Sequence, residues 1–297
     1  MKSILSGQRW ILACLAICLA SPLTEVLRAQ DKLRFNVALL QLPQLANPHI
    51  SVDEVLEEAR LAREDRRRRM SFFEAIAANA KEDFSQMLEE GMDPNAELPL
   101  PVPIEFQKRF SDGVLRYYVS SEEGFTCLMF ATALRNHAFV KLLLEAGADP
   151  WKLTKRHKTY ALWLAAKQND IEIMRTLMGI GPTHESQAFR ITIDLLTQTA
   201  LLWQNGKIVL STPISSGRST HPTPRGRFLV TNKYRHWKST LYPAKMPFFL
   251  RLSCGDFGLH MGALPGYPAS HGCIRLPAKS ARRLYASVPI GTLVEIR

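Results

Sequence analysis

The sequence predicts an α+β chain of two domains: an all-α stack of helical repeats, then a mainly-β sandwich or barrel with one helix. Three observations predict it. A plan of two short apolar helices joined by a polar turn recurs between residues 71 and 183. From Phe189 onward the apolar spacing changes from helical to alternating. Asn205–Gly206 lies between two alternating runs, the pattern of a two-residue hairpin turn.

A chain of 297 residues has room for two domains, and its 46% hydrophobic and 22% charged content exclude extended disorder. The net charge of +11 favours anionic partners, with a solvated basic face as the plain alternative. The first 20 residues read as a cleaved secretory signal: Lys2 and Arg9, then an apolar run from Trp10 to Ala20 too short to span a bilayer. Ala29 offers a later cleavage point. Loss of Lys2 and Arg9 takes the charge from +11 to +9, and no stable membrane span is expected afterwards. The expected location is the periplasm or cell envelope. Nucleic acid is not an expected partner, because an exported chain without a binding motif has no access to it.

Residues 31–70 read as a linker and a charged helix. Ser51 is the expected N-cap with Glu54 three residues on, and the arginines of "EDRRRR" suit a helix C-terminus. The repeats follow as "FFEAIAANAKEDFSQMLEEGMDPNA", "GFTCLMFATALRNHAFVKLLLEAGADPW" and "HKTYALWLAAKQNDIEIMRTLMGIGP". The second-to-third period of 33 residues and the Gly-Ala-Asp-Pro turn resemble ankyrin repeats. Each helix pair has one apolar face and can bury it only against its neighbour. Residues 95–121 then form an insertion, with "PLPVPIEF" as a surface excursion. The stack would either bind a protein partner or serve as a rigid spacer.

The last domain, 189–297, carries the reactive groups. Cys14 and Cys18 leave with the signal, so Cys127, Cys254 and Cys273 remain, an odd number in an oxidising compartment. Cys127 falls on a repeat core position. Cys254 reads as a core thiol or an oxidative partner. Cys273 stands two residues after His271 and thirteen after His260, in a loop rich in glycine and proline. A thiol beside an imidazole can be activated as a thiolate nucleophile. Gly272 permits a turn that aims backbone N–H groups at a developing oxyanion. Zinc is the rival reading of two His and one Cys, but a fourth ligand and a recognised spacing are missing, so no metal or other cofactor is expected.

"SHGCIRL" after an upstream His, with "ITIDLLTQTALLWQNGK", "TPRGRFLV" and "MPFFLRL", resembles the catalytic domain of L,D-transpeptidases, the YkuD-like family. The resemblance covers about Phe189 to Arg297. It implies a mainly-β domain acting on peptidoglycan stem peptides, with Cys273 as nucleophile and His260 as proton acceptor and donor. Ser270, His271, Gly272 and Arg275 would fill the surround, and backbone N–H groups near Gly272 and Cys273 the oxyanion hole. Many members have Gly directly after the first His, whereas here Met261 precedes Gly262. The implied activity is 3→3 cross-linking, or attachment of a protein to the wall, through a Cys273 thioester. An L,D-carboxypeptidase or amidase would use the same pair. An ankyrin scaffold with an inactive wall-binding domain is the reading from another class.

Overall fold

The structure is a computed structural model and describes residues 52–110, 113–239, 243–253, 255 and 257–297. The signal segment, Ser51 and Cys254 lie outside the described residues. Two compact units divide at Ser71 and Phe72. The division therefore does not fall between the repeats and the sheet, which share the unit Phe72–Arg297.

Helix α1 (Val52–Ala78) runs for 27 residues. The arginines expected at its C-terminus lie inside it. No Gly or Pro interrupts the stretch, arginine is a good helix former, and the first break comes at Asn79 with φ 57°. Arg60 pairs with Glu57 at 2.7 Å and Arg69 with Asp65 at 2.8 Å, so these arginines serve the exposed helix face.

Within the second unit the repeats begin at Phe72. Helix α2 (Lys81–Glu89) packs back through Phe84, whose ring stacks on Phe72 at 4.2 Å. The insertion forms helices α3 (Ile104–Gln107) and α4 (Gly113–Ser121). It is more than a surface excursion. Phe106 and Phe110 are buried, and the Phe110 ring meets Phe130 at 5.5 Å. Their apolar area gains more from the stack than from water.

Helices α5 (Cys127–Ala133), α6 (His137–Glu145), α7 (Ala161–Lys167) and α8 (Ile171–Leu177) complete two helix pairs. Thr126, Asn136 and Asp170 cap α5, α6 and α8 through their side chains. Asn136 donates to Asn79 at 2.9 Å, tying neighbouring turns together. Cys127 is fully buried, and that burial pushes its thiol well above the ordinary range. It is a packing residue. No described helix is long and apolar enough to cross a membrane.

The sheet has eight strands: β1 (Phe189–Asp194), β2 (Thr199–Gln204), β3 (Lys207–Pro213), β4 (Gly226–Tyr234), β5 (Phe249–Leu252), β6 (Gly258–Met261), β7 (Ile274–Leu276) and β8 (Leu293–Ile296). The order across it is β3-β2-β1-β8-β4-β5-β6-β7. Asn205 and Gly206 take φ values of 50° and 76°, the turn their sequence calls for, between antiparallel β2 and β3. Alternate residues such as Ile191, Ile193, Phe228, Val230 and Val294 face one core. Helix α9 (Ala278–Ser287) closes that core with Ala281 and Leu284.

The repeats grip the sheet at two points. Asn169 accepts a hydrogen bond from the Arg227 N–H at 2.8 Å, and Ile180 sits where a side chain on Gly291 would have to go. Strand β6 ends at Met261 and the parallel β7 starts at Ile274, so the loop between them crosses one edge of the sheet. That loop carries Ser270, His271 and Cys273.

Candidate active site

Strands β6 and β7 pair in parallel, with His260 opposite Arg275. The pairing puts Arg275 and His260 on one face, and Cys273 directly precedes β7, two residues before Arg275. Gly262 lies on the same face. A Cβ there would come within 2.9 Å of the Arg275 side chain, so the glycine makes room for that stem. The departure noted in the sequence, Met261 before Gly262, thus keeps the glycine where Arg275 crosses.

His260 is 7% exposed. Its Nδ1 lies 2.8 Å from the Met261 carbonyl oxygen. A carbonyl oxygen only accepts, so Nδ1 carries the proton and Nε2 keeps its lone pair. The Phe249 ring lies edge-on to the imidazole, with centroids 6.3 Å apart. Burial lowers the pKa of His260 below the ordinary imidazole value, the Met261 bond opposes that, and the Arg275 charge adds to the lowering. The imidazole is therefore neutral at pH 7 and able to accept a proton.

The turn that leads into Cys273 is held from both sides by hydroxyls. Gly272 has φ +111°, a conformation that side-chain-bearing residues rarely adopt. Ser270, 2% exposed, accepts from the Gly272 N–H at 3.1 Å and donates to the Cys273 carbonyl oxygen. Thr223, also buried, donates to the Gly272 carbonyl oxygen at 2.9 Å and accepts from the Gly217 N–H at 2.8 Å. The Gly272 N–H named for the oxyanion hole thus already has an acceptor, and the Cys273 N–H is the donor covalently nearest the sulfur. Cys273 itself is half-buried and forms no disulfide. Among the described residues no group of His, Cys, Asp and Glu could hold a metal ion.

Sequence reasoning missed the strip 214–223. Ser215 exchanges both backbone hydrogen bonds with Arg275 at 3.0 and 2.9 Å, and Arg218 N–H reaches the Ser270 carbonyl at 3.0 Å. The strip thereby brings Arg218, His221 and Thr223 beside the turn that leads into Cys273. Arg218 donates from Nη2 to His271 Nε2 at 2.9 Å, and the His221 and His271 rings meet edge to face at 5.0 Å. The available signal was a second stretch crowded with glycine, proline and small polar residues, "SSGRSTHPTPRG".

Comparison with known proteins finds two family matches along the chain. Residues 188–296 match the YkuD family, the L,D-transpeptidase catalytic domain. An ankyrin repeat matches residues 123–155. A putative L,D-transpeptidase YkuD of Bacillus licheniformis is 31% identical over 111 residues, 36% of this chain and 65% of the relative. L,D-transpeptidase 2 of Mycobacterium tuberculosis is 28% identical over 122 residues, 35% of this chain and 30% of the relative. The chain therefore spans less than two thirds of these curated relatives. Among solved structures, an L,D-transpeptidase from M. tuberculosis H37Rv aligns at 27% identity and a TM-score of 0.35, over 37% of this chain and 57% of its own.

Proposed function

We propose that the L,D-transpeptidase-like domain is an exported peptidoglycan cross-linking enzyme that works through a Cys273 thioester. The observation that carries this reading is the His260 tautomer. With Nδ1–H committed to the Met261 carbonyl, Nε2 keeps its lone pair, and the β6–β7 register sets His260 opposite Arg275, two residues after Cys273. His260 Nε2 takes the thiol proton, and the thiolate attacks the carbonyl carbon of the third stem-peptide residue. A carbon–sulfur bond forms, and the Cys273 N–H supports the oxyanion. Collapse breaks the amide bond to the terminal D-alanine, whose nitrogen takes the proton from His260. An amine from a second stem then attacks the thioester carbonyl, its proton passes to His260, and the thiol is released. The product is a 3→3 cross-link.

The repeats would carry the domain to, or hold it against, a protein partner. The positive charge of the chain suits a polymer bearing carboxylates. The test is incubation of the purified protein with tetrapeptide muropeptides. Cross-linked dimers that disappear in Cys273→Ala support transfer. Tripeptide alone would replace transfer by hydrolysis at the same thioester. Mass spectrometry after carbapenem treatment supplies the second readout, an adduct on the Cys273 peptide. Unchanged activity in Cys273→Ala would overturn the reading and favour the scaffold.

A further inference from the structure

Beside the nucleophile lies a group of cationic and donor side chains that the proposed mechanism leaves unused. Arg218 donates from Nη2 to His271 Nε2 at 2.9 Å and from Nε toward His221 Nδ1 at 3.4 Å. The Thr220 hydroxyl sits 3.1 Å from the same His221 Nδ1. These bonds use the lone pairs of His271 Nε2 and His221 Nδ1, so His221 keeps its proton on Nε2. Arg275 crosses the same face over Gly262. The ion pairs of the sheet region take up Arg190, Arg227 and Arg297 instead. Among the described residues no carboxylate lies within ion-pair distance of Arg218, His221 or Arg275. An array made of donors, carrying two guanidinium charges and lacking an acceptor, is complementary to a carboxylate.

We propose that Arg218, His221 and Arg275 form a carboxylate-binding subsite beside Cys273 that holds an acidic group of the donor stem peptide. The identity of the ligand rests on the stem-peptide reading above, whereas the anion selectivity does not. Two carboxylates share this chemistry: that of the terminal D-residue and that on the side chain of a third-position diamino acid. Arg218 and His221 act here as specificity residues, for neither is needed to move the thiol proton.

The test starts with a probe that needs no transpeptidation. Iodoacetate and iodoacetamide both alkylate a thiolate with loss of iodide, and they differ by one negative charge. The ratio of their rates at Cys273, read by mass spectrometry of that peptide, is expected to fall at least ~3-fold in Arg218→Gln and in His221→Ala, and to be kept in Arg218→Lys. The second arm measures kinetics with three tetrapeptide donors: native, terminal carboxamide, and lysine at the third position. Arg218→Gln is expected to raise KM at least ~5-fold with kcat nearly kept on the native donor. The donor whose KM no longer responds to Arg218→Gln identifies the carboxylate. An alkylation ratio unchanged in both variants overturns the subsite. An altered ratio in a protein that cross-links no donor leaves the subsite standing and removes the transpeptidase reading.

Discussion

Replacing Thr223 by Val tests whether two hydroxyls hold the turn that leads into Cys273. The substitution keeps the shape of the side chain and removes one hydroxyl, which makes two hydrogen bonds: donated to Gly272 O at 2.9 Å, accepted from Gly217 N at 2.8 Å. The first is buried and the second partly so. A buried polar group left without its partner costs about 1–3 kcal/mol, and the partly buried N–H falls at the low end. The total is about 2–4 kcal/mol. For a unit of this size each kcal/mol lowers the melting temperature by about 2–4 °C, so the midpoint should drop by about 5–15 °C. The Gly272 turn would also lose one of its two hydroxyl ties. Carbapenem acylation of Cys273 should therefore slow by at least ~10-fold, a loss of about 1.4 kcal/mol in positioning. Thr223→Ser keeps both bonds and should hold the acylation rate near wild type. The assays are thermal unfolding by circular dichroism and the rate of adduct formation by mass spectrometry. A Val variant as stable and as reactive as the native protein would refute the reasoning.

The lowered His260 pKa predicts that the Cys273 alkylation rate stays high when pH falls through the ordinary imidazole value of about 6.5, then drops at lower pH as Nε2 becomes protonated. In the unfolded chain this histidine binds a proton first, so its contribution to stability is complete above about pH 6.5 and is lost as pH falls toward its folded value. Urea titrations at several pH values check that sign. Gly258→Ala should prevent the β5–β6 pairing, because its Cβ would stand 2.0 Å from the Leu250 carbonyl oxygen, whereas Gly181→Ala meets open space and should change stability by less than about 0.5 kcal/mol. Expression and thermal melts separate the two. Glu122 is fully buried and accepts from the Arg156 and His157 N–H groups and the His157 ring. Burial raises its pKa, but those donors outweigh it and the pKa is lowered overall. Glu122→Gln should therefore destabilise the repeat by about 1–3 kcal/mol, with the native contribution present above the carboxylate range and lost in acid.

Local patterns in the sequence were read well where the cause was local. The alternation after Phe189 forms strands whose inward residues, Ile191 and Ile193, are buried, and the Asn205–Gly206 hairpin is where its backbone requirement puts it. Helix α1 differed because arginine at a helix end and arginine inside a helix look alike until the next break is weighed. The insertion differed because the packing of Phe106 and Phe110 on Phe130 joins residues about twenty apart without any repeating period. At the site, His260, Ser270, Gly272, Cys273 and Arg275 lie on one strand pair and its entering turn. The strip from Ser215 to Thr223 could not be placed there from sequence. Its bonds to Ser270, Gly272 and Arg275 join segments about fifty residues apart, and such contacts leave no imprint on spacing.

Strand β8 is the last of the eight in chain order, yet it lies between β1 and β4 in the middle of the sheet. Among the named strands it alone pairs with both the β1–β3 half and the β4–β7 half, so residues 293–296 complete the ladder between them, alongside the smaller Ser215–Arg275 bridge. Removing that one strand would part β1 from β4 yet leave the β6–β7 register, with His260 opposite Arg275, to be set by its own ladder.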